Sequence, residues 1–133
     1  MAKWASALIL DGGSDLLRTR AATAGRIKMH VIKAYAAADS YATAVGTNSC
    51  GTVDMVTADF VQSTSASNRI TTIPAKAIAL TANSGASPNL HIAVVDSVTS
   101  EVLLVTDETS DQQLYSGGTF NVPSWTYTSN QPT

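Results

Sequence analysis

The chain runs Leu90-His91-Ile92-Ala93-Val94-Val95-Asp96, then Ser97-Val98-Thr99-Ser100, then Glu101-Val102-Leu103-Leu104-Val105-Thr106. The two apolar runs are rich in β-branched residues and have the length of strands, and the polar link between them is typical of a short antiparallel hairpin. After Gly117-Gly118 a third stretch, Thr119-Phe120-Asn121-Val122-Pro123-Ser124-Trp125-Thr126-Tyr127, predicts a strand that closes over the hairpin. We expect this C-terminal third to organise the rest of the fold.

One short helix is predicted near the N-terminus. Ser14 can cap a helix through its hydroxyl, and Gly25 is suited to follow its end, so we expect a helix from Ser14 to Ala24. The residues before it, 1–13, are predicted to form an N-terminal arm. At the other end, residues 129–133 are polar and are predicted to be a mobile tail.

The middle of the chain has the pattern of short strands separated by turns. Residues 26–35 alternate, which predicts a strand with one buried and one solvent-facing side. Further strands are predicted in three segments, 52–61, 69–73 and 76–81, with Pro74 breaking the last two apart. Many short strands and one helix favour a mainly β fold, an antiparallel β-sandwich or jelly-roll-like single domain spanning residues 1–133.

The composition indicates a protein that forms part of an assembly. Of 133 residues, 44% are apolar but only 14% are charged, against roughly 25% in an average soluble domain. A weakly charged surface keeps repulsion between neighbouring copies low. The net charge of −2 and the scattered basic residues argue against a nucleic-acid partner. No apolar stretch has the length of a membrane span, and Cys50, the single cysteine, excludes an intrachain disulfide.

No motif predicts catalysis, a cofactor or a metal. His30 and His91 are each expected mid-strand on the outer face, without the Cys or carboxylate neighbours of a metal site. Asp107, Glu108 and Asp111 could hold a hard cation such as calcium, but their spacing matches no known loop, and solvated loop ends explain them better. We therefore expect a protein that is not an enzyme, with no catalytic, cofactor-binding or metal residues.

The aromatic residues are the better candidates for contacts. Trp125 and Tyr127 lie on one side of the last predicted strand, and Phe120 and Val122 lie on the other. If the side chains of this strand alternate without interruption, one of these pairs faces the core and the other is exposed. An exposed aromatic stripe would need a partner. A bulge at Pro123 could instead switch the phase and bury both, and we favour the core for Trp125.

Several segments resemble small structural proteins of tailed bacteriophages. One is the strand from Asn89 to Asp96, a second is Val102-Leu103-Leu104-Val105-Thr106, and a third is the run from Leu114 to Trp125 with Gly117-Gly118 and Val122-Pro123. The N-terminal part is similar as well, with Trp4-Ala5 leading to a leucine-bearing segment and then to Ile27-Lys28-Met29-His30. The likeness covers both ends of the chain, while residues 35–82 do not contribute to it.

This resemblance implies a non-enzymatic virion component, assembled in many copies in the bacterial host cytoplasm. Within that class we expect a capsid decoration (cement) protein on the outer head, where it stabilises contacts between capsomers. Its implied partners are the major capsid protein and other copies of itself, with no nucleic acid and no membrane. The candidate interface residues are Trp4, Leu8, Ile9, Trp125 and Tyr127.

Two alternatives remain open from sequence. The first is a structural component of the phage tail or neck, such as a fibre anchor. The second is a carbohydrate-binding β-sandwich module that would stack sugars on Trp125, Tyr127 and Tyr115. The exposure of these aromatic side chains distinguishes the second alternative from the others.

Overall fold

Antiparallel strands dominate the computed structural model, which describes residues 3–5, 7–65 and 68–129, and side chains within 13–63 and 69–129. One helix, α1 (Ala7–Ala21), follows the first strand. The strands are β1 (Lys3–Ala5), β2 (Ile27–Ile32), β3 (Ser49–Asp54), β4 (Val61–Ser65), β5 (Asn68–Ile73), β6 (Lys76–Ala79), β7 (His91–Asp96), β8 (Glu101–Asp107), β9 (Thr119–Val122) and β10 (Trp125–Ser129). The described chain is mainly β with one short N-terminal helix, as the sequence predicts.

The predicted hairpin lies within a five-stranded sheet of order β1-β8-β7-β2-β3. Strands β7 and β8 pair antiparallel from His91 opposite Asp107 to Asp96 opposite Glu101, with a bulge near Val94. Every residue of β7 is buried, so this strand is covered on both faces. The hairpin is confirmed, and both of its strands lie inside the sheet rather than at its edge.

The second layer is formed by the order β10-β5-β4 and by the pair β6-β9. Ile73 faces Trp125 on one side of a break, and Lys76 faces Val122 on the other, so the same register continues across the gap. Both breaks contain a proline, Pro74 in one chain segment and Pro123 in the other, and proline cannot donate a ladder hydrogen bond. The hydroxyl of Ser124 donates to the carbonyl of Ile73 (2.9 Å) and holds the two segments together there.

The main core fills the space between these layers and is closed by α1 through Leu17 and Ala21. Alternating residues of β2 and β7 face it, as predicted for β2. Its largest fully buried side chains include Leu17, Ile27, Met29, Met55, Phe60, Ile73, Ile78, Leu90, Ile92 and Leu103. Removing each of these from water contributes roughly 1.5–3 kcal/mol, so the interlayer core is the main source of stability.

A smaller apolar cluster covers the opposite face of the first sheet. Residues 33–48, which include the helical turn Ala42–Thr47, fold over it and bury Ala44 against Ile32, Ala93, Val95, Val102 and Val105. The expectation that His30 and His91 face solvent is wrong for this reason, since their exposed fractions are 8% and 4%. The alternation of side chains along a strand predicts correctly which residues share the second face of this sheet. It does not show that the connecting segment 33–48 covers that face.

The two layers meet at one corner, where Gly51 of β3 forms an isolated bridge with Leu80. A Cβ atom on Gly51 would lie 2.6 Å from the carbonyl oxygen of Ala79 and 2.8 Å from Cγ2 of Ile78. Only glycine allows the two backbones to approach this closely. The corner therefore depends on the residue type at this one position.

The N-terminal segment differs in detail from its prediction. The helix spans Ala7–Ala21 rather than Ser14 to Ala24, with an interruption at Gly13 (φ 59°, ψ −160°). Before it, Lys3–Ala5 pair with β8, so part of the expected arm of residues 1–13 is a strand and part is helix. Of the predicted tail, 129–133, Ser129 belongs to β10 and residues 130–133 lie outside the described residues.

Candidate interaction surface

The first three sequence candidates are placed by their backbone alone. Trp4 lies opposite Val105 in the pairing of β1 with β8, and Leu8 and Ile9 belong to the start of α1. The structure describes the side chains only from residue 13 onward, so those of Trp4, Leu8 and Ile9 are not among them. Their role as contacts stays a prediction.

Trp125 and Tyr127 pack against the main core, on the same cluster that contains Phe120 and Val122. Phe120 and Val122 occupy even positions and Trp125 and Tyr127 odd ones, so the side-chain phase changes at the Pro123 break. Trp125 therefore packs against the core, the side that we favour from sequence, but it is only half-buried. The indole Nε1 of Trp125 and the hydroxyl of Tyr127 are buried and have no hydrogen-bond partner among the described residues.

The three aromatic residues of the sugar-binding alternative lie at three different places. Trp125 lines a cleft at the end of the sandwich, Tyr127 lines a polar cavity beside Ser14, and Tyr115 lines a third cavity beside Leu80. Tyr115 alone is widely exposed, at 60%. A stacking platform needs ring faces on a common surface, and this arrangement does not provide one.

The cleft beside Trp125 is lined by residues of both layers. We call it the terminal cleft, and its volume is about 360 Å³. On one side it is bounded by the ends of β7 and β8, and on the other by the break between β9 and β10. Its lining residues are Ile92, Thr106, Asp107, Glu108, Thr109, Val122, Pro123, Ser124, Trp125 and Thr126.

Two carboxylates give the terminal cleft a negative charge. Asp107 ends β8 and lies 3.6 Å, Oδ1 to Nε2, from His91. Glu108 follows it and is only 9% exposed, with its Oε1 accepting a hydrogen bond from the Ser110 amide at 3.3 Å. Glu108 forms no ion pair with the described residues. Thr106, Ser124 and Thr126 add hydroxyl groups to the same lining.

A second buried carboxylate, Asp96, is fully compensated. Arg20 and Arg26 contact it at 2.9 and 3.0 Å, and the amides of Val98 and Thr99 donate to its Oδ1. Burial alone would raise the pKa of Asp96, but the two amides and the Arg26 guanidinium outweigh it, so the pKa lies below its ordinary value. This group ties α1 and the following turn to the β7–β8 hairpin.

Two further reactive or titratable side chains, His30 and Cys50, are not part of a catalytic or metal-binding cluster among the described residues. Nδ1 of His30 lies 2.8 Å from the Ser49 hydroxyl, and burial, aided by the charge of Lys28, lowers the pKa of His30 to about 4. Burial raises the pKa of the Cys50 thiol. Within the described residues, no three His, Cys, Asp or Glu side chains are grouped as a metal site requires.

Glu108 and the terminal cleft are what the sequence analysis missed. The sequence predicts that Asp107, Glu108 and Asp111 are solvated loop ends. In the structure Glu108 is nine-tenths buried, and the Asp111 carboxylate accepts a hydrogen bond from the Leu90 amide at 2.8 Å. Glu108 lines the same cleft as residues 122–126 of the facing layer. No local pattern in the chain signals it.

The described helix is too short and too polar to cross a bilayer. In comparisons with known proteins, no family model, no curated protein and no solved structure matches this chain. The fold, the terminal cleft and the sequence resemblance are therefore the grounds on which a function can be proposed.

Proposed function

We propose that this chain is a non-enzymatic structural protein of tailed-bacteriophage virions. More specifically, it is a capsid decoration (cement) protein that binds the major capsid protein on the outer head and stabilises contacts between capsomers. It is assembled in the bacterial host cytoplasm and acts at the capsid surface, in many copies.

The observation that carries this proposal is the sequence resemblance at both ends of the chain. The segments that bear it are adjacent in the fold, because Lys3–Ala5 pair with β8 and the runs from residue 89 to 106 form the β7–β8 hairpin. Residues 119–125, the end of the third resembling run, form β9 and begin β10 in the facing layer. The resemblance thus concerns one connected part of the fold.

The composition supports the same proposal. A surface with few charges lets copies lie close together on a shell without strong repulsion. On a symmetric shell each contact can be weak, since many copies that also touch one another gain from avidity. A rigid two-layer sandwich with a close-packed core is well suited to bear load between capsomers.

A binding experiment tests the proposal. The purified protein is mixed with phage heads that lack it, the heads are pelleted, and bound copies are counted against the major capsid protein. We expect binding that saturates at a fixed ratio. Absence of binding to heads, together with detection of the protein in purified tails, would move the assignment to the tail or neck alternative.

A further inference from the structure

Of the two buried carboxylates in the described chain, Asp96 and Glu108, only Glu108 has no cation beside it. Asp96 has two arginines and two amides around it, and Asp59 lies 2.9 Å from the ammonium of Lys76. Glu108 accepts one long hydrogen bond, from the Ser110 amide, and has no cation beside it among the described residues. Burying a carboxylate without a cation is unfavourable, so a positive charge arriving next to Glu108 would be strongly attracted.

Glu108 lines the terminal cleft, and the cleft offers more than charge. Ile92, Val122 and the Trp125 ring supply apolar walls, while the hydroxyls of Ser124 and Thr126 lie at its lining. A lysine or arginine side chain matches this combination, because its aliphatic stem packs on apolar surface while its charged end seeks a carboxylate. The face of the Trp125 ring would also attract the positive charge of such a side chain.

The described residues place no cation beside Glu108, so a cation there would come from outside the subunit. The side chains of five basic residues are already engaged within the chain: Arg18, Arg20, Arg26, Lys28 and Lys76. Moving Arg20, Arg26 or Lys76 would break an ion pair within the subunit. A different protein is the better source.

We propose that the terminal cleft is the surface that binds the shell, and that it receives a lysine or arginine side chain of the major capsid protein next to Glu108. This inference rests on the proposed cement function. It specifies that function by naming the residue that carries the contact. Trp125, one of the candidates from sequence, lies in the wall of this site, whereas Tyr127 does not.

The test compares variants in which one carboxylate is replaced by an uncharged amide. Their binding to heads that lack the protein is measured across a range of salt concentrations. Glu108→Gln keeps an oxygen that can accept the Ser110 amide and loses only the charge. We expect its affinity for heads to fall about 30-fold or more, with a weaker salt dependence. The matched control is Asp54→Asn on β3, whose side chain is 59% exposed and pairs with Lys28, and which should bind like the wild type.

A second variant guards against a folding defect in the first. Thr126 is exposed at the cleft, so Thr126→Lys places a cation there without disturbing the core, and it should weaken binding by a comparable factor. Unfolding curves of all variants establish that each is folded before binding is measured.

The outcomes separate this inference from the proposed function. If the wild type binds heads and both cleft variants bind equally well, the cleft assignment is overturned while the cement function stands. If the wild type does not bind heads at all, both are overturned. If the wild type sediments as an oligomer that Glu108→Gln dissociates, the cleft joins copies of this chain, and the assignment to the shell is wrong.

Discussion

Nε of Arg26 lies 3.0 Å from Oδ2 of Asp96, whose side chain is completely buried. Arg20 reaches the same oxygen from the last turn of α1, at 2.9 Å. One carboxylate thereby joins the helix, the turn that follows it and the tip of the β7–β8 hairpin. The charge of the buried Asp96 carboxylate is compensated only while the helix, the turn and the hairpin remain packed together. The stability of these three elements is therefore linked through Asp96.

Asp96→Asn should therefore destabilise the protein by about 3 kcal/mol, since it leaves two partly buried guanidinium groups without their carboxylate. Urea unfolding at neutral pH measures the loss. Asp54→Asn removes an exposed partner of Lys28 and should cost less than about 1 kcal/mol. Equal losses in the two variants would show that Asp96 does not link these elements.

The same carboxylate predicts acid sensitivity. The pKa of Asp96 is lowered in the folded state, so its contribution to stability is complete above the ordinary Asp pKa of roughly 4 and is lost as the pH falls through the lower folded value. Asp96→Asn should show a smaller loss of unfolding free energy than the wild type as the pH falls below about 4. Parallel curves for the two proteins would contradict this linkage.

His30 predicts a second pH dependence, at higher pH than that of Asp96. Its pKa is about 4 in the folded state because it is buried and lies near Lys28, whereas the unfolded chain takes up the proton near pH 6.5. Between these values protons favour the unfolded state, so stability should fall by about 3 kcal/mol as the pH drops from 6.5 to 4. In His30→Gln this slope should flatten, as measured by urea unfolding at half-unit intervals of pH. A variant slope equal to that of the wild type would exclude His30 as its source.

Gly51 predicts a steric effect at the corner between the layers. The Cβ of Gly51→Ala would lie within 3.0 Å of the Ala79 carbonyl oxygen and of Ile78, so we expect a loss of about 2 kcal/mol or more. The measurement is the unfolding free energy. Gly46→Ala is the matched control, because its Cβ would meet no atom within 4 Å. If both variants unfold like the wild type, the corner is not as tight as described.

Ser124 predicts a smaller effect at the proline breaks. Ser124→Ala removes the hydroxyl that donates to the Ile73 carbonyl, which should lower the unfolding free energy by about 1 kcal/mol. Hydrogen exchange should then quicken for the amides of β5 and β10 next to the break, while β7 keeps its protection. Uniform change across both layers would mean that the bond supports the whole fold rather than this junction.

Much of the fold could be predicted because local patterns carry it. The hairpin follows from two β-branched runs and a short polar link, and the break at Pro74 follows from the missing amide of proline. For the strand around Pro123 the sequence allows two possibilities, an uninterrupted side-chain alternation or a change of phase at the proline. The structure resolves it because Trp125 packs against the same core as Val122.

The errors arise where distant segments decide the outcome. His30 has the pattern of a solvent-facing residue, but residues 33–48 fold back over its face of the sheet. Gly12-Gly13 has the pattern of a break and so predicts too late a helix start, whereas the chain is helical on both sides of Gly13. Glu108 is buried although it directly follows the end of β8, and no spacing of residues along the chain indicates this burial.

The most direct test of the cement function is the heat stability of heads. Heads lacking the protein are heated with and without a saturating amount of it, and release of their DNA is followed with temperature. We predict release at a higher temperature when the protein is bound, with the gain reaching its maximum at the same ratio that saturates binding. Saturated heads that release their DNA at the temperature of bare heads would contradict the account.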